Sequence, residues 1–265
     1  MYVGKVCLSY SSPSGYVNIL PFSDLHLGNK LCDLDLFKKH LKLLDEENTY
    51  WFCLGDMIDS VVLSDPRFDL KSCGLGDIVL DYADTLIELL EPYKDTCLGY
   101  LTGNHEEKLR KKVQIDVSRY IAKQLGVTYM GLVSLLYVSF SRRSHSCGQV
   151  WLLTHGSFNG QTRYGKIRKA EELSQKFDAD IYFSGHTHDK VYTRDVTYTV
   201  NRVGQLVEKE RVFVITGGYL RGYSDSVDEY CYVERKLLKP LPLGTPLVRI
   251  YPECKRVEVY DNPVW

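Results

Sequence analysis

Five short apolar runs in this chain each end in a cluster of polar, metal-ligating residue types, and that repetition constrains the fold more than any bulk property. Val17–Phe22 leads to Asp24-Leu25-His26, and Tyr50–Leu54 to Gly55-Asp56-Met57-Ile58-Asp59. Cys97–Leu101 leads to Gly103-Asn104-His105-Glu106, Val150–Leu153 to His155-Gly156, and Ile181–Phe183 to Gly185-His186-Thr187-His188. Apolar or aromatic runs that stop at glycine or a polar cluster read as buried strands. Amphipathic segments lie between several of them. Asp33 is placed to cap a helix carrying Leu34, Phe37, Leu41 and Leu44 on one face, and Asp77 to cap another with Ile78, Leu80, Tyr82, Leu86, Leu89 and Leu90. Strands alternating with helices predict a layered α/β protein. Over Leu132–Phe140, Val191–Val203 and Arg211–Thr216 strand follows strand, so the second half is expected to be richer in antiparallel sheet.

The 265 residues carry a net charge of −1, with 44% apolar and 25% charged residues. That balance belongs to a globular protein, and no apolar stretch is long enough to cross a bilayer, so no membrane association is expected. Near-neutrality also argues against coating nucleic acid by bulk electrostatics, for which strongly basic domains are the rule. Without repeats, low-complexity tracts or a flexible linker, residues 1–265 read as a single domain. Residues 61–76, which hold Pro and Gly, are expected to form a lid or docking loop, and 247–260 to supply strands that complete a sheet. The eight cysteines include no C-x-x-C pair and no secretory leader precedes the first motif, so a reduced, cytoplasmic protein is the expectation.

Carboxylate, amide oxygen and imidazole make up the polar clusters, with no thiolate. Such a donor set suits borderline divalent ions such as Mn, Fe or Zn better than Cu(I) or an iron–sulfur cluster. In layered α/β folds the carboxyl ends of neighbouring strands converge, so five motifs at five strand ends can meet in one place. Each motif alone is short enough to arise by chance, with Asp24, Asp56 and Asn104 as turn formers and the histidines as packed polar groups. Their joint occurrence in this order favours two adjacent metal sites. His40 on a helix and His145 in a polar turn stand outside the motifs and read as surface histidines.

The set D-x-H, G-D-x-x-D, G-N-H-E, an isolated histidine and G-H-x-H, spread from Asp24 to His188, resembles the calcineurin-like metallophosphoesterase superfamily. The resemblance implies an α/β fold of four layers, an αββα sandwich with two mixed β-sheets flanked by helices. It implies one metal ion held by Asp24, His26, Asp56 and His188, and a second held by Asp56, Asn104, His155 and His186. His105 matches the histidine that contacts the phosphate and stabilises or protonates the leaving oxygen, and Asp59 the carboxylate that orients it. The implied cofactors are two divalent metal ions, Mn first, with Fe, Zn, Ni or Mg as alternatives. The implied reaction is hydrolysis of a phosphate ester, with the two ions clamping phosphate oxygens and activating a bridging hydroxide.

The substrate follows less directly. Leu27 and Ser60 break the D-x-H-G and G-D-x-V-D-R-G patterns of the Ser/Thr protein phosphatases, and His105 stands where lipid A precursor hydrolases usually carry arginine. The expected substrate is a phosphodiester of nucleic-acid or nucleotide type. Phosphomonoester hydrolysis, as by a nucleotidase or protein phosphatase, is the alternative, and a non-catalytic metal-binding scaffold is a third reading. Two basic clusters, Lys108, Arg110, Lys111 and Lys112, then Arg163, Lys166, Arg168 and Lys169, either draw a polyanion to the site or are solvated helix faces. Arg163 and Lys166, with Arg221 and Tyr223 from the tyrosine-containing 217–230 segment, are the candidate substrate contacts.

Overall fold

All six residues of Val17–Phe22 are buried, so this run has no solvent face and must lie inside a sheet covered on both sides. The computed structural model describes residues 1–10, 15–59, 79–142, 145–157, 160, 162–201, 203–224 and 232–263. In it the strands are β1 (Tyr2–Ser9), β2 (Val17–Phe22), β3 (Thr49–Cys53), β4 (Cys97–Leu101), β5 (Tyr129–Gly131) and β6 (Val133–Arg142). They continue with β7 (His145–Thr154), β8 (Ile181–Ser184), β9 (Val191–Val200), β10 (Leu206–Ile215), β11 (Leu247–Tyr251) and β12 (Arg256–Tyr260). The helices are α1 (Leu34–Leu41), α2 (Val79–Leu90), α3 (Asn104–Val113), α4 (Val117–Leu125), α5 (Arg163–Glu171) and the short α6 (Tyr232–Arg235).

Two mixed six-stranded sheets result, ordered β1-β6-β7-β8-β10-β9 and β12-β11-β2-β3-β4-β5. Strands β2 to β5 run parallel, while β11 joins β2 and β12 joins β11 antiparallel. Pro21 has no N–H to give a neighbour. Accordingly β11 pairs β2 only over Val17–Ile19, and the carbonyl of Pro21 accepts instead from Thr245 Oγ1 at 2.7 Å. The second half is antiparallel at β6–β7 and β9–β10.

Between the sheets, Ile19, Phe52, Leu54 and Leu101 meet Val138, Trp151, Leu153, Phe183 and Val214 in one buried cluster. On the outer face of the first-half sheet, Phe37 and Leu41 of α1, Leu86 and Leu90 of α2, and Ile121 and Leu125 of α4 cover Phe22, Trp51 and Tyr100. Ala170 and Ile167 of α5 cover Leu152, Tyr182 and Phe213 of the other sheet. The layers are therefore helix, sheet, sheet, helix. Each fully buried Phe or Leu contributes roughly 1.5–3 kcal/mol to this packing.

Asp33 caps α1 by accepting from Leu36 N at 3.1 Å. His40, read from sequence as a surface residue, is instead buried, with Nδ1 2.9 Å from the hydroxyl of Tyr219. Its helix face is closed by the 217–219 segment, which is far away in sequence. Asp77 and the 61–76 loop lie outside the described residues, as does the side chain of His145. Among the described residues no helix is long and apolar enough to cross a membrane, and six cysteines are free thiols.

Candidate metal centre

The parallel strands β2, β3 and β4 end level with one another, as do β7 and β8 in the facing sheet, so the loops that follow converge. Backbone hydrogen bonds lock the converging loops together. Asp24 N donates to Gly55 O at 3.1 Å, His26 N to Asp56 O at 3.1 Å, Asp59 N to Leu27 O at 2.9 Å, and Gly185 N to His155 O at 3.0 Å. Space is tight at the crossing. A Cβ on Gly55 would stand 2.2 Å from Gly103 N, and one on Gly103 2.1 Å from Asp56 Oδ1, so neither position admits a side chain.

Nine non-glycine residues among those described have positive φ, and five of them are Asp24, His26, Asp56, His186 and His188, at 51–69°. Each such conformation costs on the order of 1–3 kcal/mol and persists only where the surroundings over-determine it. The result is that their side chains turn inward. Asp24 Oδ1 lies 3.3 Å from His188 Nε2 and 4.0 Å from His26 Nε2, and those two ring nitrogens are 3.3 Å apart. Asp56 Oδ2 lies 3.1 Å from His155 Nε2 and 3.9 Å from His105 Nε2. The inward atom of the Asn104 amide is 3.1 Å from His155 Nε2, 3.2 Å from Asp56 Oδ2 and 2.7 Å from His186 Nδ1. Asp59 Oδ1 stands 3.4 Å from His105 Nδ1 and 3.7 Å from His26 Nδ1, while its Oδ2 accepts from Asn29 Nδ2 at 2.8 Å.

These donor atoms fit divalent cations. Donors 2.0–2.2 Å from one ion stand about 3–3.4 Å from each other; Asp24–His188 at 3.3 Å and Asp56–His155 at 3.1 Å match that spacing, while His26 stands farther off, 4.0 Å from Asp24. With its oxygen inward, Asn104 faces only acceptors. Asp24 Oδ1 is buried and accepts no hydrogen bond. His155 Nδ1 donates to Leu54 O at 2.9 Å, which leaves Nε2 for the centre. Three groups of possible ligand atoms recur: Asp24, His26 and His188; His26, Asp56 and His105; and Asp56, His155 and His186.

The buried carboxylates and rings shift one another. Burial opposes charge on His155, but Asp56 outweighs it and pushes the ring up to about 10. Burial is likewise overcome at His26, where Asp59 and Asp56 raise the ring to about 9. Burial prevails at His188, which falls to about 4, and at His186, which also falls. Burial would raise Asp56, yet His155 and His105 hold it well below the usual carboxylate range.

Glu106 reaches under the centre to the backbone of residues 56–58. Its place three residues after Gly103 was the available signal. Asn29, which fixes Asp59, escaped the sequence reading.

The four candidate substrate contacts stand in different settings. Lys166 is buried, its ammonium turned inward to Asp189 Oδ2 at 3.1 Å and Thr187 O at 3.3 Å. Arg163 is largely exposed and reaches Lys190 O at 3.3 Å, beside the loop of His188. Arg221 binds Asp33 at 2.8 Å, and the hydroxyl of Tyr223 donates to Leu238 O at 2.7 Å.

The profile of the calcineurin-like phosphoesterase family matches residues 17–190, 174 of the chain's 265. The chain belongs to that family, and is a metal-dependent hydrolase acting on phosphate ester bonds. No curated protein matches it. Among solved structures, a conserved predicted phosphoesterase of Streptococcus pneumoniae TIGR4 is 12% identical with a TM-score of 0.36, over 89% of this chain and 83% of that one. A single mutant of Vps29 from Entamoeba histolytica is 13% identical with a TM-score of 0.39, over 89% and 87% of the two chains. GAP50, the anchor in the inner membrane complex of Plasmodium, is 11% identical with a TM-score of 0.39, over 89% and 81%. Similarities this low say nothing about the substrate of this chain.

Proposed function

We propose that this chain is a dinuclear phosphodiesterase acting on nucleic-acid or nucleotide-type substrates. Asp24, His26, Asp56 and His188 would hold one divalent ion and Asp56, Asn104, His155 and His186 the other, with Mn the first candidate among Mn, Fe, Zn, Ni and Mg. The observation that carries this reading is the convergence of Asn104, Asp56, His155 and His186 on one point with acceptors alone. When bound, the ions supply Lewis-acid polarisation of the phosphate and a lowered pKa for water.

The chain's own residues do the rest. Asp59 Oδ1 stands 3.4 Å from His105 Nδ1, and Asn29 fixes Asp59 from behind, so the ring presents Nε2 to the centre. A proton held at Nε2 is thereby aimed at the leaving oxygen, which suits His105 to act as general acid. Arg163 stands beside the His188 loop as an exposed cation able to meet a second phosphate or a diester substituent.

The test is hydrolysis of bis-p-nitrophenyl phosphate and p-nitrophenyl phosphate by metal-stripped protein resupplied with Mn. Faster diester turnover supports the proposal. Faster monoester turnover would make the enzyme a phosphomonoesterase, and metal binding without turnover of either ester would favour a scaffold.

A further inference from the structure

Glu106 is 2% exposed, and both of its carboxylate oxygens are fully engaged. Oε2 accepts from Asp56 N at 3.0 Å and Gly103 N at 3.1 Å, while Oε1 accepts from Met57 N at 2.8 Å and Ile58 N at 3.3 Å. A carboxylate offers about four such acceptor positions, and here all are used. Three of the donors are consecutive, and successive N–H groups turned to one point form a nest that takes an anion. Glu106 supplies the acceptor for it from within the chain. It steadies a turn in which Asp56 has a φ of 52°. The Asp56 side chain is then free of its own backbone, with Oδ1 accepting from His105 N at 2.8 Å and Oδ2 facing His155.

We propose that Glu106 is a positioning residue whose carboxylate fixes the Asp56 turn so that one aspartate serves both metal positions. This rests on the metal-centre reading above. The four N–H groups call for a double acceptor. Glutamine at 106 keeps the shape but exchanges one oxygen for an amide NH2, which would meet two backbone N–H groups donor against donor.

The experiment titrates Mn²⁺ into metal-stripped wild type and Glu106→Gln, read by calorimetry and by electron paramagnetic resonance, in which a coupled Mn pair differs from isolated ions. Wild type should bind two ions and show the coupled signal. Glu106→Gln should bind at least one ion roughly 10–100-fold more weakly and lose that signal. Glu106→Ala, whose cavity admits a small carboxylate, should regain the coupled signal in formate but not in chloride at equal ionic strength, a rescue that general loss of folding would not show. Two ions at wild-type affinity with a coupled signal in Glu106→Gln would overturn the proposal, as would failure of formate to rescue Glu106→Ala. If wild type itself bound no pair, the metal-centre reading would be what failed.

Discussion

The donor cluster and the cationic groups around it are held in opposite ways. Asp24, His26, Asp56 and His155 are buried, sit on loops locked by backbone hydrogen bonds, and in three cases adopt left-handed backbone. Arg163 and Arg221 are mostly exposed and pair with Asp189 and Asp33. On the proposed function, this difference would separate the reaction from its selectivity. A strained, desolvated cluster fixes atoms for one chemistry, whereas flexible surface cations contribute modest, screened attraction that can suit several substrates.

Breaking the cluster side of this comparison should have the largest effect. His105→Ala is expected to lower kcat for the diester by about 10²–10⁴-fold while both Mn ions still bind, checked by steady-state kinetics beside metal analysis. Loss of metal in that variant would move His105 among the ligands.

A buried histidine outside the cluster sharpens the comparison. Carboxylates raise His155, but burial and the nearby Lys190 lower His40 to about 4 from an ordinary 6.5. Protonation therefore favours the unfolded chain. The stability tied to neutral His40 is complete above pH 6.5 and is lost as pH falls toward 4, by about 3 kcal/mol in all. Urea unfolding of wild type and His40→Phe across that range checks this: the variant should lose less stability on acidification, and parallel curves would count against it.

The smallest effect belongs to the rim. Arg163→Ala should raise KM for the diester by about two- to fivefold at low salt, with kcat unchanged and the difference shrinking as salt is added. A fall in kcat instead would place Arg163 at the reacting phosphate.

Sequence made the strand ends legible because strand, turn and ligand-type residue are adjacent in the chain. Val17–Phe22 and Cys97–Leu101 coincide with β2 and β4, and Asp33 does cap α1. What stayed hidden depends on partners distant in sequence. Edge strand β1 pairs with β6 more than 130 residues later, and its mixed pattern of Gly, Lys, Cys and Val gives little periodicity. Lys166 looks like any helix-surface lysine until Asp189 folds over it. His40 is covered by Tyr219, and the four N–H groups that Glu106 collects come from two separate loops.

The most direct test of the shared aspartate is metal content and bis-p-nitrophenyl phosphate turnover of wild type and Asp56→Asn after reconstitution with Mn. Two ions per chain and turnover are expected for wild type, with the variant losing at least one ion and roughly 10³-fold or more in rate. An Asp56→Asn protein that kept both ions and undiminished turnover would contradict the account.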